Sequence, residues 1–149
     1  MIYFIKMKKI TVGVFLVNPE NQVLLHLRDN KPTVFMSGMW TGLGGSIEDN
    51  ETAEEAVFRE LMEEISYRPK ELYYLIGYLQ PDRVVHIYFS FTDVASNSLI
   101  LNEGVALQYY SFEEIEKLYE EGKTNKDIIN QAKILKQEVL KKRIELGRL

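Results

Sequence analysis

The amino-acid sequence predicts a single mixed α/β domain, and three observations lead to that class. The chain has 149 residues, which is the usual size of one domain, and we therefore treat residues 1–149 as one unit. Segments dense in β-branched and apolar residues predict strands over most of the first 110 residues. Apolar residues at helical spacing predict one helix in mid-chain and two at the end.

The first third of the chain is predicted to form strands joined by short loops. Residues 10–17 read as a buried strand, residues 18–21 carry turn chemistry, and residues 22–27 read as a second strand, so the two form a hairpin. A loop follows over residues 29–38. Residues 40–45 are a short segment that contains three glycines.

The mid-chain helix is predicted over residues 52–65. Thr52 and Glu55 have the spacing of a capping box at its start. Its apolar stripe consists of Ala53, Ala56, Val57, Leu61 and Ile65. This spacing predicts that one face of the helix packs on the sheet.

The rest of the chain is predicted to hold three strands and two helices. Strands are predicted at residues 72–79 and 84–94, around a Pro81-Asp82-Arg83 turn, and at residues 106–110. Helices are predicted at residues 112–121, capped by Ser111, and after Asn125. The apolar side of the last helix would be Ile128, Ala132, Leu135 and Val139.

Composition and charge narrow the classes of function. The chain contains no cysteine, which excludes disulfides, thiolate metal sites and cysteine nucleophiles. Its net charge of −4 disfavours binding to a nucleic-acid backbone, although small phosphorylated ligands stay compatible because a cation can offset their charge. The amino-terminal residues lack the order of a signal peptide, and no apolar run approaches the ~18 residues of a membrane span. We therefore expect a cytoplasmic protein with no membrane partner.

Three acids lie near the apolar stripe of the mid-chain helix. At about 100° per residue, Glu64 and Glu60 fall roughly 20° to either side of Ala53, level with the stripe, and Glu63 flanks it at about −80°. Acids in that position lose hydration and repel one another, and a hard divalent cation such as Mg²⁺ relieves both costs. The alternative interpretation is an ordinary solvated acidic face.

The spacing around these acids resembles the Nudix box. Gly45 is followed after five residues by Glu51, and after seven more by Arg59-Glu60-Leu61-x-Glu63-Glu64-x-Ser66-Tyr67. The resemblance implies an α/β/α sandwich around a mixed sheet, with the box as a loop-helix-loop. It also implies hydrolysis of a diphosphate linked to another moiety, by attack of metal-activated water on phosphorus. Mg²⁺ is the expected cofactor, and Mn²⁺ could replace it.

The resemblance assigns roles to the residues of the box. Glu60, Glu63 and Glu64 resemble the metal-binding acids, although Glu60 could act mainly as a base on the water, and the carbonyl of Gly44 could be a further ligand. Arg59 and Glu51 resemble an ion pair that orients the glutamates. The alternative for Arg59 is a surface salt bridge. The backbone of Gly45 is expected to contact the substrate.

Two positions depart from the family pattern. Ser66 stands where the family has a glycine that ends the helix in a left-handed conformation, and Leu43 stands where many members have proline. Because serine is strained in that conformation and Pro69 can stop the helix instead, we expect an altered loop but retained chemistry.

Residues outside the box suggest a MutT-like member. Glu103, just before Gly104, resembles an acid that binds metal or activates water in such members, although it could be an exposed turn acid. Arg28 could reach a phosphate or be a surface arginine. Asn125 could read a base or serve only as a helix cap. Candidate stacking residues, each also suited to the core, are Trp40, Phe35 and Tyr78.

Three hypotheses follow for the function. The first is a magnesium-dependent pyrophosphohydrolase of a nucleoside triphosphate, intact or damaged. The second is hydrolysis of ADP-ribose or a nucleotide sugar, for which Pro81 is a weak marker. The third, from another class, is a catalytically inactive Nudix binding module, which the intact metal acids disfavour. The expected partner is a small nucleotide, with no nucleic acid, and the protein would be a monomer or homodimer; the apolar residues 2–5 hint at an interface.

Overall fold

The structure, a computed structural model, describes residues 8–34 and 36–148. The apolar residues 2–5 and the stacking candidate Phe35 lie outside the described residues. The strands are β1 (Lys9–Val17), β2 (Val23–Leu27), β3 (Trp40–Thr41), β4 (Leu43–Ser46), β5 (Tyr73–Leu79), β6 (Arg83–Phe91) and β7 (Ala106–Tyr110). The helices are α1 (Ala53–Ile65), α2 (Phe112–Glu120) and α3 (Lys126–Glu145), with a short 3-10 helix at Ser96–Ser98.

The described strands form one mixed sheet centred on β1. Strand β1 runs parallel to β6 along its whole length, from Lys9 opposite Arg83 to Val17 opposite Phe91. On its other side β1 meets two partners in turn: β4 pairs with residues 11–14, and β2 pairs only at Val17. Strand β2 in turn pairs with β3 and β7, and β6 with β5. Because β2 and β4 share one side of β1, the sheet divides there.

Hydrophobic cores lie on both faces of the sheet. Alternate residues of β1 point to opposite faces, so Phe15 packs in the core with α2 and α3 while Val14 and Leu16 pack in the core with α1. The predicted α/β/α sandwich is therefore confirmed. Both faces of β6 are buried, since Tyr88 packs in the core with α1 and Phe89 in the core with α2 and α3. No helix in the described ranges has the length and apolarity needed to cross a membrane.

Helix α1 begins and ends where local chemistry dictates. The Thr52 hydroxyl accepts a hydrogen bond from the Glu55 amide, and the Glu55 carboxylate accepts one from the Thr52 amide, which confirms the predicted capping box. The expectation of an altered loop at its end is wrong. Ser66 itself takes the left-handed conformation, with φ 53° and ψ 41°, so the family's helix end is retained without glycine.

Two of the predicted segments differ most from the structure. Residues 40–45 form two strands, β3 and β4, that pair with β2 and β1 respectively. Strand β6 ends at Phe91, three residues before the predicted limit, and the Thr92 hydroxyl just beyond it accepts a hydrogen bond from the Val94 amide. The predicted cap residues Ser111 and Asn125 do begin α2 and α3.

The packing of α1 gives a matched pair of stability variants. Leu61→Ala should lower the free energy of unfolding by about 2–5 kcal/mol, because it opens a cavity at a fully buried position. Met62→Ala, next to it but 49% exposed, should change it by less than about 0.5–1 kcal/mol. Urea unfolding of both variants measures the difference. Equal effects would contradict the placement of α1 on the sheet.

Candidate active site

Glu64 is a carboxylate buried between α1 and β4. Only 3% of the residue is exposed, and its Oε2 accepts a hydrogen bond from the Gly44 amide at 3.2 Å. Burial, and then the nearby charge of Glu60, raises the pKa of Glu64 to about 8. A single hydrogen bond from a backbone amide offsets little of the cost of a buried charge, so this position is costly for a glutamate with only a structural role.

Glu60 lies one helical turn before Glu64 and rests on the backbone of Gly45. A side chain at position 45 would meet the Glu60 carboxylate, so glycine leaves the space that Glu60 occupies here. Burial raises the pKa of Glu60, while its hydrogen bond from Arg59 acts in the opposite direction. The two acids predicted to be level with the apolar stripe are therefore adjacent. Both are desolvated, and the charge of Glu60 raises the cost of ionising Glu64.

Arg59 connects the box loop to the helix. Its Nε and Nη2 donate to both carboxylate oxygens of Glu51, at 2.7 and 3.0 Å, and Nη2 also donates to the Ser46 carbonyl at 2.9 Å. Its Nη1 donates to Glu60 Oε1 at 2.9 Å and lies 3.4 Å from the Glu63 carboxylate. The predicted Arg59–Glu51 ion pair is thus present, and it lowers the pKa of Glu51. Its bidentate geometry favours the orienting role over a simple surface salt bridge.

Two further acids, Glu63 and Glu103, lie near Glu60 and Glu64. Glu63 is at the helix edge with its side chain 51% exposed. Glu103 is exposed as well, but its charge contributes to the raised pKa of both Glu60 and Glu64, which shows that it lies near them. The backbone amide of Asn102 donates a hydrogen bond to the Glu64 backbone carbonyl at 2.9 Å, so the segment that carries Glu103 is attached to the end of α1.

A cavity of about 420 Å³ lies beside the acids, where β2 and β4 separate. Gly44 and Gly45 line one edge of it and β1 lines its floor. Its cationic lining residues are Lys9, Arg28 and Arg83, and its polar residues include Tyr78, Gln80, Asp127 and Gln131. Gln131 Nε2 donates to the Tyr78 hydroxyl at 2.6 Å, and Gln80 Nε2 donates to Asp127 Oδ2 at 3.0 Å. Three cationic side chains and the Asp127 carboxylate therefore line the cavity, and Arg28 is the cation whose charge acts on Glu64.

The structure brings together most of the predicted site residues. Arg28 lines the cavity, and its buried Nε has no hydrogen-bond partner among the described residues, which suits an anionic ligand. Its charge lowers the pKa of Glu64, so it lies near the acids. Asn125 is not among the cavity-lining residues: its Oδ1 caps α3 by accepting from the Ile128 amide at 3.0 Å, and its Nδ2 faces the Met36 sulfur. Its base-reading role stays a prediction.

The stacking candidates separate into two groups. Trp40 packs edge-to-face on Tyr110, with ring centroids 5.0 Å apart, as part of the core. Tyr78 lines the cavity. The other three polar wall residues, Gln80, Asp127 and Gln131, were not predicted from sequence. They come from the turn after β5 and from α3, and no local motif links positions about 50 residues apart.

The acids fit a divalent cation by chemistry, although not as a preformed cage. In residues 8–34 and 36–148, no three acidic or histidine side chains are grouped closely enough to enclose a metal ion. Glu60 and Glu63 both face Arg59 instead. The donor set is nevertheless the oxygen-only set that Mg²⁺ prefers. The pKa of Glu60 and of Glu64 is raised first by burial and then by neighbouring carboxylates, and a cation would offset both costs.

These features define a class of protein: an α/β/α domain in which a helix with paired acids packs beside a glycine pair at the edge of a cavity. The chain belongs to the Nudix family, because the NUDIX domain model matches residues 7–132. The NUDIX domain of Shewanella oneidensis NrtR, solved with ADP ribose, has the same fold, with a TM-score of 0.72 at 19% identity over 91% of this chain and 90% of that one.

Sequence relatives include enzymes of two kinds. An RNA pyrophosphohydrolase of Histophilus somni is 41% identical over 61 residues, which are 41% of this chain and 29% of that protein. The 8-oxo-dGTP diphosphatase of Escherichia coli is 34% identical over 85 residues, which are 56% of this chain and 65% of that protein. The matched region thus spans less than two thirds of either relative.

The raised pKa of Glu64 predicts a pH-dependent stability in the absence of divalent cations. Because its pKa rises from 4.5 to about 8 on folding, the folded state holds the proton more tightly than the unfolded state. The stability that this proton provides is complete below about pH 4.5 and is lost as the pH rises towards 8. In chelator, Glu64→Gln should remove this part of the decline and be more stable than the wild type at pH 8. Parallel pH profiles for the two proteins in thermal unfolding would contradict the placement.

Proposed function

We propose that this protein is a magnesium-dependent hydrolase of the phosphoric anhydride bond in a nucleoside triphosphate, intact or damaged. The observation that carries the proposal is the continuity of the site: the acids of α1 and the cationic cavity meet at Gly44 and Gly45. A polyphosphate between them would contact the acids through a cation and the cavity through Arg28. The nucleoside would then occupy the 420 Å³ cavity.

The chain's own residues divide the work of such a reaction. Glu60, Glu63, Glu64, Glu103 and the Gly44 carbonyl would hold the cation, which when bound supplies charge neutralisation on phosphate and activation of water. Glu60 is also suited to accept a proton, because burial raises its pKa and so makes its carboxylate a stronger base. Arg59 holds Glu60 in place and is itself fixed by Glu51 and the Ser46 carbonyl.

The cavity supports a nucleoside as the attached group. Its far wall presents amide, phenol and carboxylate groups from Tyr78, Gln80, Asp127 and Gln131, which can distinguish hydrogen-bonding edges of a base. The similarity to an 8-oxo-dGTP diphosphatase agrees with a triphosphate whose base is read in this way. Binding of ADP ribose by a fold relative keeps ADP-ribose hydrolysis as the second candidate.

A substrate screen tests the proposal. With Mg²⁺, a nucleoside triphosphate should be converted to monophosphate and pyrophosphate, and Glu64→Gln should lose more than the roughly 10- to 100-fold typical of residues that only orient ligands. Glu54→Gln, an exposed acid on the same helix, is the matched control and should keep full activity. ADP-ribose, nucleotide sugars and RNA with a 5′-triphosphate complete the panel. Preference for one of these would replace the proposed substrate, and turnover unaffected by Glu64→Gln would refute the site.

Arg28 provides a separate test of the phosphate contact. Arg28→Met keeps the apolar stem and removes the charge, so we expect KM to rise by roughly tenfold or more, since hydrogen bonds to charged groups are the stronger kind. Lys133→Met, an exposed cation on α3, is the control and should leave KM unchanged. Steady-state kinetics with the best substrate of the screen gives both values. An unchanged KM for Arg28→Met would show that the arginine does not contact the substrate.

A further inference from the structure

Ser66 makes a contact that a glycine at this position could not make. It is one of the few described residues other than glycine with positive φ, and serine is strained there. Its Oγ accepts a hydrogen bond from Asn102 Nδ2 at 2.9 Å. The backbone amide of Asn102 also donates a hydrogen bond to the Glu64 backbone carbonyl, at 2.9 Å. The end of α1 therefore holds the residue just before Glu103 by two bonds, one of which depends on the serine.

The other side of the same segment is held by strand β2. His26 is buried, and its Nε2 lies 2.6 Å from the Glu103 carbonyl oxygen. Gly104 follows with φ 82°, and any side chain there would collide with the His26 ring and the Leu27 carbonyl. The Val105 amide then donates to the Leu27 carbonyl at 2.8 Å. The segment 102–105 is thus packed against β2 as closely as its backbone allows.

The direction of the His26 bond follows from its partner. A carbonyl oxygen only accepts hydrogen bonds, so Nε2 carries the proton and donates. Nδ1 is buried without a hydrogen-bond partner among the described residues, which places no second proton there. His26 thus acts as a neutral donor aimed at the backbone of Glu103, and the ring has no other polar contact in the described part of the chain.

We propose that Ser66, Asn102 and His26 form a clamp that positions Glu103 beside Glu60 and Glu64. Ser66 in this view is a positioning residue, and the strain of its conformation is offset by the bond to Asn102. The proposal rests on the proposed function, in which Glu103 is one of the cation-binding acids. It gives Ser66 a role, whereas the replacement of the family glycine would otherwise be interpreted as a substitution without function.

A pair of variants at position 66 separates the hydroxyl from the strain. Ser66→Gly removes the hydroxyl and the strain, whereas Ser66→Ala removes the hydroxyl and keeps the strain. The stability of Ser66→Gly in urea should therefore stay close to that of the wild type, because relief of the strain and loss of the hydrogen bond offset each other, whereas Ser66→Ala should be less stable. Both should weaken Mn²⁺ binding, measured by electron paramagnetic resonance, and lower kcat/KM, each by roughly three- to tenfold, the size expected for one hydrogen bond. Asn102→Ala should give the same losses, and adding it to Ser66→Gly should cause no further one.

His26 is tested by a matched pair as well. His26→Gln keeps an amide donor near the position of Nε2 and should retain most Mn²⁺ affinity, whereas His26→Leu should lose it. Hydrogen exchange of the backbone amides of Asn102 and Val105 in the cation-free protein measures directly how firmly the clamp holds this segment. This exchange should accelerate by roughly three- to tenfold in Ser66→Gly and Asn102→Ala. These two variants test the clamp independently if His26→Leu does not fold.

The outcomes separate the clamp from the proposed function. A wild type that binds Mn²⁺ and is active, with Ser66→Gly equal to it in amide exchange, cation affinity and kcat/KM, overturns the clamp alone. Accelerated exchange with unchanged Mn²⁺ affinity overturns the link between the clamp and Glu103. A wild type that hydrolyses none of the panel overturns the proposed function, while the exchange data still decide whether the clamp exists.

Discussion

The site depends on one constraint: two like-charged carboxylates are held at the interface of α1 and the sheet, and protein contacts offset only part of their cost. Arg59 donates to Glu60, but Glu64 receives a single backbone hydrogen bond from Gly44. Solvent cannot complete the shell of Glu64, since it is buried. Much of the surrounding geometry follows from this pair. Glycine at position 45 makes room for Glu60, and Glu51 holds the arginine that faces it.

The division of the sheet beside β1 places a cavity next to this charge. Had β2 paired along the whole of β1, no cavity would open there; instead β4 takes the first part of β1 and β2 only its end. The same β4 supplies the Gly44 amide to Glu64. One short strand therefore borders both the acids and the cavity.

Local sequence was sufficient for α1 and its acids, because capping, apolar spacing and the placement of Glu60 and Glu64 all depend on residues within one helix. It was insufficient for the cavity wall. Gln80 meets Asp127, and Tyr78 meets Gln131, only because β5 and α3 pack on the same face of the sheet. It was also wrong at Ser66, where conformational preference predicted a changed helix end. A tertiary hydrogen bond from Asn102 outweighed that preference, and no local pattern reports such a bond.

Stability and charge act against each other at this site, and that opposition has a functional consequence. Above neutral pH, ionised Glu64 destabilises the cation-free fold, so any cation that binds the folded state preferentially must also stabilise it. Part of the free energy of cation binding then offsets the cost of ionising Glu64. The affinity for the cation should therefore rise with pH, as protons cease to compete for the carboxylates. In the proposed function, a proton and a cation would be alternative ways to neutralise the same pair of carboxylates. An acid held in this balance is suited to a cation that binds together with its phosphate ligand, because the second ligand adds the charge complementarity that the protein alone leaves incomplete.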